Sequence, residues 1–259
     1  MVQSFSLSSA AVDVLFEHTR LGRAPFPFEV PHVGETHHAR AQIRDTVFRD
    51  LHGRGLMRQN RLDPDVEAAL FTLVRGSAAV TAAANLGDDG MLFARSAAHR
   101  QTAVLARQDG DALIVELIRP EALVPAIVHL LPPTPPAPGQ SVTVAKPQQR
   151  PQRRTEEDSY DPFAGASAPR SRSAPQMRAV ERMFEKPQLR MGQFTAFVSG
   201  GNGAATPLEP VAWFDSEDGR VFCTGRTADD GRKWLTYAPA DANRISQHLY
   251  SQVRGAFQR

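Results

Sequence analysis

The sequence predicts an α+β fold in which two similar halves contribute short strands to one mainly antiparallel sheet. The hydrophobic period changes twice along the chain from helical spacing to strand spacing and back. The connections between successive strands are too short for crossovers, so neighbouring strands must be antiparallel. Each half runs in the order helix, about four strands and a closing helix introduced by a proline. This order indicates two pseudo-two-fold related α+β halves.

The first half covers residues 1–131 and begins with three helices. We expect the first helix to start after Ser8 or Ser9 and to end at Gly22, and a second to cover about 35–52. In "DPDVEAAL", Asp63 can cap a third helix and Pro64 fits its first turn. Four strands then follow, at 78–86, 91–96, 101–107 and 112–118. The apolar segment "EALVPAIVHLL" after Pro120 closes the half as a helix.

Residues 132–175 have a different composition from the rest of the chain. Ten of the 20 prolines fall in this stretch, together with a basic block, "KPQQRPQRR", and an acidic one, "TEEDSYD". Because such a segment cannot bury enough apolar surface to offset the entropy of ordering it, we interpret it as a disordered linker.

The second half covers residues 176–259, and we expect it to pack on the first half as one domain. Ser173 and Gln176 form a capping box for its first helix. Strands are predicted at 193–199, 209–215, 220–224 and 233–237. The closing helix carries an apolar stripe of Ile245, Leu249 and Val253.

Composition limits the classes of function that the chain can have. The 30 basic and 28 acidic residues give a net charge of +2, so the pI of about 9.0 is weak support for nucleic-acid binding. A single cysteine fits a reducing compartment. The most apolar stretch, residues 122–131, is too short to span a bilayer, and the N-terminus lacks the basic region of a signal peptide. We therefore expect a soluble cytoplasmic protein that binds neither nucleic acid nor membrane.

The segment "WFDSEDGRVFCTGR" concentrates acidic residues and could hold a metal ion. Asp215, Glu217 and Gly219 imitate the start of a calcium loop, but the positions of the later ligands are apolar. The flanking residues alternate as strands do, so we interpret the segment as a hairpin whose acids lie in the turn. Cys223 has no local group that would lower its pKa, and we interpret it as a buried residue.

Three histidines near the N-terminus are the other candidate metal ligands. His32, His37 and His38 lie within seven residues, but adjacent histidines on a helix point in different directions and no zinc-binding spacing accompanies them. We assign no catalytic, cofactor-binding or metal-binding residue and expect no cofactor. A metal-dependent hydrolase and an interaction protein that acts through the Pro-rich linker remain the alternatives.

Several segments, taken in order, resemble the EspG family of chaperones associated with type VII (ESX) secretion. They are "NRLDPDVEAALFTLV", "DGDALIVELIRPEALVPAIVHLLPP", "RMGQFTAFV", "WFDSEDGRVFCTGR" and "WLTYAPADANRISQHL". The resemblance covers nearly the whole chain except the linker. It departs at Ser216 and Val221, where the family often has threonine and tyrosine.

The resemblance implies a chaperone rather than an enzyme. Its expected partners are helical secretion substrates of the PE–PPE type, which it would keep soluble and export-competent, and its expected oligomeric state is a monomer or weak dimer. It also implies a central sheet with flanking helical bundles, and partner binding through the sheet, a loop of the first half and the C-terminal helical region. By region, these map to the loop from Ser96 to Arg100 and to the second-half strands. The predicted partner-binding residues are Ser96, His99, Arg100, Trp213, Phe222 and Trp234.

Overall fold

A computed structural model of the chain describes residues 2–145, 175–200 and 205–258. The fold is α+β, with a large antiparallel sheet and six α-helices in these ranges. The Cα positions divide the chain into two compact units. The first unit comprises Met1–Thr81, Phe93–Ile127 and Phe197–Thr206, and the second comprises Ala82–Leu92, Val128–Ala196 and Pro207–Arg259.

The elements up to residue 128 alternate between helical and extended structure. In chain order they are β1 (Ser4–Ser8), α1 (Ser9–His18), α2 (His37–Gly53), β2 (Met57–Arg58), β3 (Arg61–Leu62), α3 (Pro64–Arg75), β4 (Ala78–Asn85), β5 (Met91–His99), β6 (Thr102–Asp109), β7 (Ala112–Ile118) and α4 (Leu123–Val128). Helix α3 begins as the sequence predicts, because the Asp63 side chain accepts a hydrogen bond from the Asp65 amide at 2.9 Å.

The later elements are mostly strands, and a long helix follows them. In chain order they are β8 (Val142–Ala145), α5 (Pro175–Met183), β9 (Arg190–Ser199), β10 (Ala205–Pro207), β11 (Val211–Ser216), β12 (Gly219–Thr227), β13 (Lys233–Pro239) and α6 (Ala242–Phe257). Helix α6 begins where the Asp241 side chain accepts a hydrogen bond from the Arg244 amide at 2.8 Å. The predicted cap residue Ser173 lies outside the described residues.

In the first unit, the strands run in the order β1-β7-β6-β5, all antiparallel. Helices α1, α2 and α3 bury their apolar faces in one hydrophobic core with this part of the sheet. Leu15, Leu51 and Leu70 are completely buried there. Each fully buried leucine contributes about 1.5–3 kcal/mol, so this core accounts for the stability of helices whose other faces are polar.

In the second unit, the strands run in the order β9-β11-β12-β13-β8, and β10 pairs with β9. One face carries a core in which Met177 and Val180 of α5 pack with Phe214, Val221 and Tyr237 of the strands. On the other face, Ile245, Leu249 and Val253 of α6 are buried, as their spacing predicts.

The element order of the two halves agrees with the sequence prediction. The first half has α3, four strands (β4–β7) and α4, and the second has α5, the strands β9 and β11–β13, and α6. The pseudo-two-fold relation between the halves stays a prediction. The two compact units do not follow the predicted boundaries, since each contains segments from both halves.

Five strands in the described ranges were not expected from the sequence, namely β1, the two-residue strands β2 and β3, β8 and β10. Strand β1 pairs with β7, placing Phe5 opposite Val115, in a stretch for which the sequence predicts no element. Strand β8 lies inside the predicted disordered linker and pairs with β13, placing Val144 opposite Leu235. The start of the linker prediction is therefore corrected, because residues 132–145 have defined structure, whereas residues 146–174 lie outside the described ranges. No helix in the described part of the chain is long and apolar enough to cross a membrane.

Candidate partner-binding site

The predicted loop from Ser96 to Arg100 is mostly strand. Ser96 lies inside β5, pairs with Leu105 of β6 and is completely buried, so it offers no surface to a partner. The pairing continues to His99 and Thr102, which leaves only Arg100 and the next residue in the turn. Arg100 has φ of 53°, in the left-handed region that few non-glycine residues adopt, and its side chain is exposed.

His99 lies against an exposed aromatic side chain of α3. The rings of His99 and Phe71 are 5.6 Å apart in an edge-to-face arrangement, and Phe71 is 44% exposed. His99 Nδ1 is buried without a hydrogen-bond partner among the described residues. The two rings line a hollow of about 380 Å³ in the first unit. Of the predicted residues in this unit, His99 and Arg100 therefore remain accessible, and His99 faces the hollow.

The three predicted aromatic residues of the second unit share one face of the sheet. Trp213 of β11 pairs directly with Phe222 of β12, and the register places Trp234 of β13 on the same side. Trp213 is 1% exposed and Phe222 is 6% exposed, whereas Trp234 is half-buried. Trp213 and Phe222 are therefore core residues, and only Trp234 is partly accessible.

Cationic and aromatic side chains cover the two buried rings. The guanidinium carbon of Arg220 lies 4.8 Å from the centre of the Trp213 ring. From α6, the Arg244 guanidinium carbon lies 5.5 Å from the centre of the Phe222 ring, and the His248 ring lies 5.7 Å from it. Burial lowers the pKa of His248 below the usual histidine value.

The acidic hairpin is a structural feature built around a buried ion pair. Arg220 Nε donates to Asp215 Oδ1 at 2.7 Å, Nη2 donates to Oδ2 at 2.9 Å, and both side chains are at most 1% exposed. Arg220 Nη2 also donates to the Pro132 carbonyl at 2.9 Å, and the Thr134 hydroxyl donates to Asp215 Oδ2 at 3.0 Å. The ion pair therefore fixes the first residues of the segment that was predicted to be disordered.

The turn itself is the tight hairpin that the sequence predicts, with one correction. Ser216 pairs with Gly219, and the Ser216 hydroxyl accepts a hydrogen bond from the Asp218 amide at 3.2 Å. Gly219 has φ of 121°, and a Cβ there would lie 2.6 Å from the Pro135 carbonyl oxygen, so only glycine fits. Asp215 was assigned to the turn, but it is the buried partner of Arg220.

The candidate metal ligands make other contacts. His32 Nδ1 lies 3.2 Å from Asp13, and His38 lies 3.0 Å from Gln42. Asp13 also accepts hydrogen bonds from the Val33 amide and from Arg40. Burial opposes ionisation of Asp13, but these hydrogen bonds hold the pKa of its carboxyl below the usual value. Within the described ranges, no group of three or more His, Cys, Asp or Glu side chains is arranged to hold a metal ion.

Helix α6 presents two exposed aromatic residues that the sequence prediction missed. Tyr250 is 56% exposed and Phe257 is 55% exposed. They are seven residues apart, so they lie on the same side of the helix, about 10 Å apart along its axis. The spacing of seven residues was visible in the sequence, but Phe257 also continues the i, i+4 spacing of the buried stripe beyond Val253, which by itself predicts a buried residue.

The comparisons with known proteins identify the family. The model of the EspG family matches residues 8–251 of this chain. The chain belongs to the EspG family. Among solved structures, 14 chains match. One is the type VII secretion system chaperone EspG5 of Mycobacterium tuberculosis, solved in complex with a PE25–PPE41 dimer.

The EspG5 structure shares the fold of this chain at low sequence identity. The TM-score is 0.68 and the identity is 13%, and the match covers 96% of this chain and 95% of EspG5. A search of curated proteins found no match. The EspG-family match includes all six predicted partner-binding residues and Tyr250, whereas Phe257 lies beyond its end at residue 251.

Proposed function

We propose that this chain is a cytosolic chaperone that binds helical type VII secretion substrates of the PE–PPE type and keeps them soluble for export. The observation that carries this proposal is the EspG-family match over residues 8–251. The fold shared with EspG5, whose structure contains a PE25–PPE41 dimer, supports it. The protein acts by binding and not by catalysis.

The exposed aromatic strip of α6 is the best-supported client contact in the second unit. Tyr250 and Phe257 are both more than half exposed, and large aromatic side chains of this kind supply most of the binding energy at protein interfaces. Arg254 lies between them on the same helix and provides a polar edge. Trp234 remains a predicted contact, whereas Trp213 and Phe222 support the sheet beneath α6.

In the first unit, His99 and Arg100 remain the predicted contacts. Both lie where β5 turns into β6, and the Arg100 side chain is exposed. Ser96 is buried and its role is to pack within the sheet.

The chaperone proposal is tested by co-expression with PE–PPE-type pairs encoded in the same genome. We expect at least one pair to co-elute with the chain on size-exclusion chromatography and to become soluble only in its presence. If no pair binds the wild-type chain, the chaperone proposal is wrong.

The role of the α6 strip is tested separately by changing Tyr250→Ser and Phe257→Ser together. Because loss of an aromatic anchor costs about 2 kcal/mol or more, we expect affinity measured by calorimetry to fall at least about tenfold. The matched control is Leu189→Ser, which removes a 50% exposed apolar side chain elsewhere in the same unit. Equal affinities for the double variant and the wild type would assign client binding to another surface and leave the chaperone proposal intact.

The structure also determines which deletion tests the alternative that the protein acts through its Pro-rich linker. Residues 132–137 are held by Arg220, and β8 pairs with β13, so a deletion that begins at Pro132 would damage the fold. A chain that lacks residues 146–174 is therefore the appropriate variant. We expect it to bind the same PE–PPE-type pair as the full chain, and loss of binding would favour a protein that acts through this segment.

A further inference from the structure

Two adjoining hollows of the first unit differ in the chemistry of their walls. Their volumes are about 380 and 390 Å³, and Thr19 and Glu67 belong to the walls of both. The walls come from the end of α1, the β2–β3 hairpin, residues 64–72 of α3 and the β5–β6 turn. We refer to the pair as the α1–α3 groove. Its size is at the lower end of the range for sites that bind small ligands or single peptide side chains.

One end of the α1–α3 groove is apolar. Leu21 and Ala68 contribute aliphatic surface, and Phe71 is 44% exposed with its ring held edge-to-face against His99. An exposed aromatic residue fixed by a neighbour loses little entropy on binding. His99 lines this end, and its Nδ1 is buried without a hydrogen-bond partner among the described residues.

The other end of the groove is basic. His18, Arg20 and Arg61 line it, and all three are exposed. Neither Arg20 nor Arg61 has a side-chain hydrogen bond or ion pair within the described residues. Glu67, at the junction of the two hollows, is the one acidic residue that lines either of them. The basic end therefore has unneutralised positive charge that attracts carboxylates.

The backbone of the basic end is in an uncommon conformation. Arg20 has φ of 57° and Asn60 has φ of 65°, and both residues line the groove. At Arg20 this conformation ends α1, where the Arg20 amide donates to the Glu17 carbonyl at 3.1 Å and the Leu21 amide donates to the Phe16 carbonyl at 2.9 Å. At Asn60 it forms the two-residue turn of the β2–β3 hairpin.

We propose that the α1–α3 groove binds an acidic peptide segment of a partner protein that carries an aromatic or large aliphatic side chain. The apolar side chain occupies the end at Phe71 and His99, and the neighbouring carboxylates pair with Arg20 and Arg61. This site is separate from the α6 strip. It shares His99 with the predicted client contacts of the first unit, but its test uses free peptides and does not depend on the proposed function.

A labelled peptide tests the proposal directly. The probe is fluorescein-labelled EEFEDE, and its binding to the full chain is measured by fluorescence anisotropy. The comparison peptides are KKFKKK, which reverses the charge, and EEGEDE, which lacks the aromatic ring. We expect the probe to bind at least about tenfold more tightly than either comparison peptide. We also expect its affinity to decrease as the salt concentration increases.

Variants of the chain locate the binding. We expect Arg20→Glu with Arg61→Glu to weaken probe binding at least about tenfold. We expect Phe71→Ser to weaken the binding of EEFEDE but not that of EEGEDE. The matched control is Arg44→Glu with Arg49→Glu, which changes the same charge on the exposed face of α2. Far-UV circular dichroism and melting curves confirm that each variant is folded.

Three outcomes would overturn the inference. They are equal binding of the three peptides, equal loss of binding in the groove and control variants, and tighter binding of a labelled single-stranded oligonucleotide than of EEFEDE. The last result would assign the basic end to nucleic acid. Each is independent of whether a PE–PPE-type pair binds the chain.

Discussion

Each of the two units contains a buried arginine, and the units compensate the charge differently. Arg95 in the first unit is 6% exposed and Arg220 in the second is completely buried. Arg220 forms two hydrogen bonds with the carboxylate of Asp215. Arg95 has no carboxylate partner among the described residues, and its Nε donates to the carbonyl of Leu73 at 3.0 Å.

The C-terminal end of helix α3 stabilises the charge of Arg95, which has no carboxylate partner among the described residues. Leu73 lies in the last turn of α3, where the unpaired carbonyls carry partial negative charge. The Phe197 ring lies 5.5 Å from the Arg95 guanidinium carbon and adds a cation–π contact. Burial still lowers the pKa of Arg95 to about 10, so the side chain stays charged at neutral pH. The helix end and the aromatic ring thus compensate the buried charge of Arg95 less fully than a carboxylate would.

The largest expected effect comes from removing the carboxylate in the second unit. Asp215→Ala leaves Arg220 buried and charged without its partner, which costs about 3–5 kcal/mol. Both tryptophans of the chain, Trp213 and Trp234, belong to this unit, so their fluorescence during urea denaturation reports its unfolding. A loss below about 1 kcal/mol would contradict the importance of the ion pair.

A double variant separates charge from shape at the same site. Asp215→Leu with Arg220→Met removes both charges and keeps apolar volume, and such replacements are often neutral or stabilising. We expect it to recover most of the stability that Asp215→Ala loses. The Pro132 carbonyl loses its hydrogen bond from Arg220 in this variant, so recovery should be incomplete.

Replacement of the arginine in the first unit should have a smaller effect. Arg95→Met removes a charged hydrogen bond to the Leu73 carbonyl but also relieves the cost of burying the charge, so we expect a net loss of about 1–2 kcal/mol. Hydrogen–deuterium exchange of the α3 and β5 amides measures it, since this unit has no tryptophan. Arg75→Met, an exposed charge at the same helix end, is the control, and equal effects of the two variants would contradict the role of Arg95.

Local signals explain which elements could be predicted from the sequence. The Asp63 cap, the Pro64 start and the apolar stripe of α3 all lie within a few residues, and the structure agrees with them. Strands β1 and β8 were missed because they are stabilised by distant partners. Ser4 pairs with Glu116, and Val144 pairs with Leu235, so neither pairing has a signal near it in the sequence.

The candidate site was harder to predict than the fold, because the environment of its residues depends on partners that are distant in the sequence. Whether Trp213 is core or surface depends on Arg220 and on α6, which its own strand does not reveal. Asp215 resembles a turn residue, and only its pairing with Arg220 shows otherwise. Tyr250 could have been recognised as exposed because it lies outside the buried stripe of α6, whereas the spacing of Phe257 matches that stripe.

The smallest expected effect concerns His248 of α6, a half-buried histidine that can lose its charge. His248 packs against Phe222, its Nε2 has no hydrogen-bond partner among the described residues, and burial lowers its pKa. The unfolded chain therefore binds a proton near the ordinary histidine pKa of about 6.5, and the folded unit binds it only at lower pH. The free energy of unfolding should consequently decrease as the pH falls below about 6.5, until the pH passes the folded-state pKa.

A substitution isolates this contribution from the titration of other groups. His248→Gln should reduce the difference in urea midpoint between pH 7.5 and pH 5.5, followed by tryptophan fluorescence. The control is His129→Gln, an exposed histidine of the same unit, which should leave that difference unchanged. The same pH dependence in the wild type and in His248→Gln would show that α6 tolerates a charge at this position. The second unit would then resemble the first, in which a buried cation is held without a carboxylate.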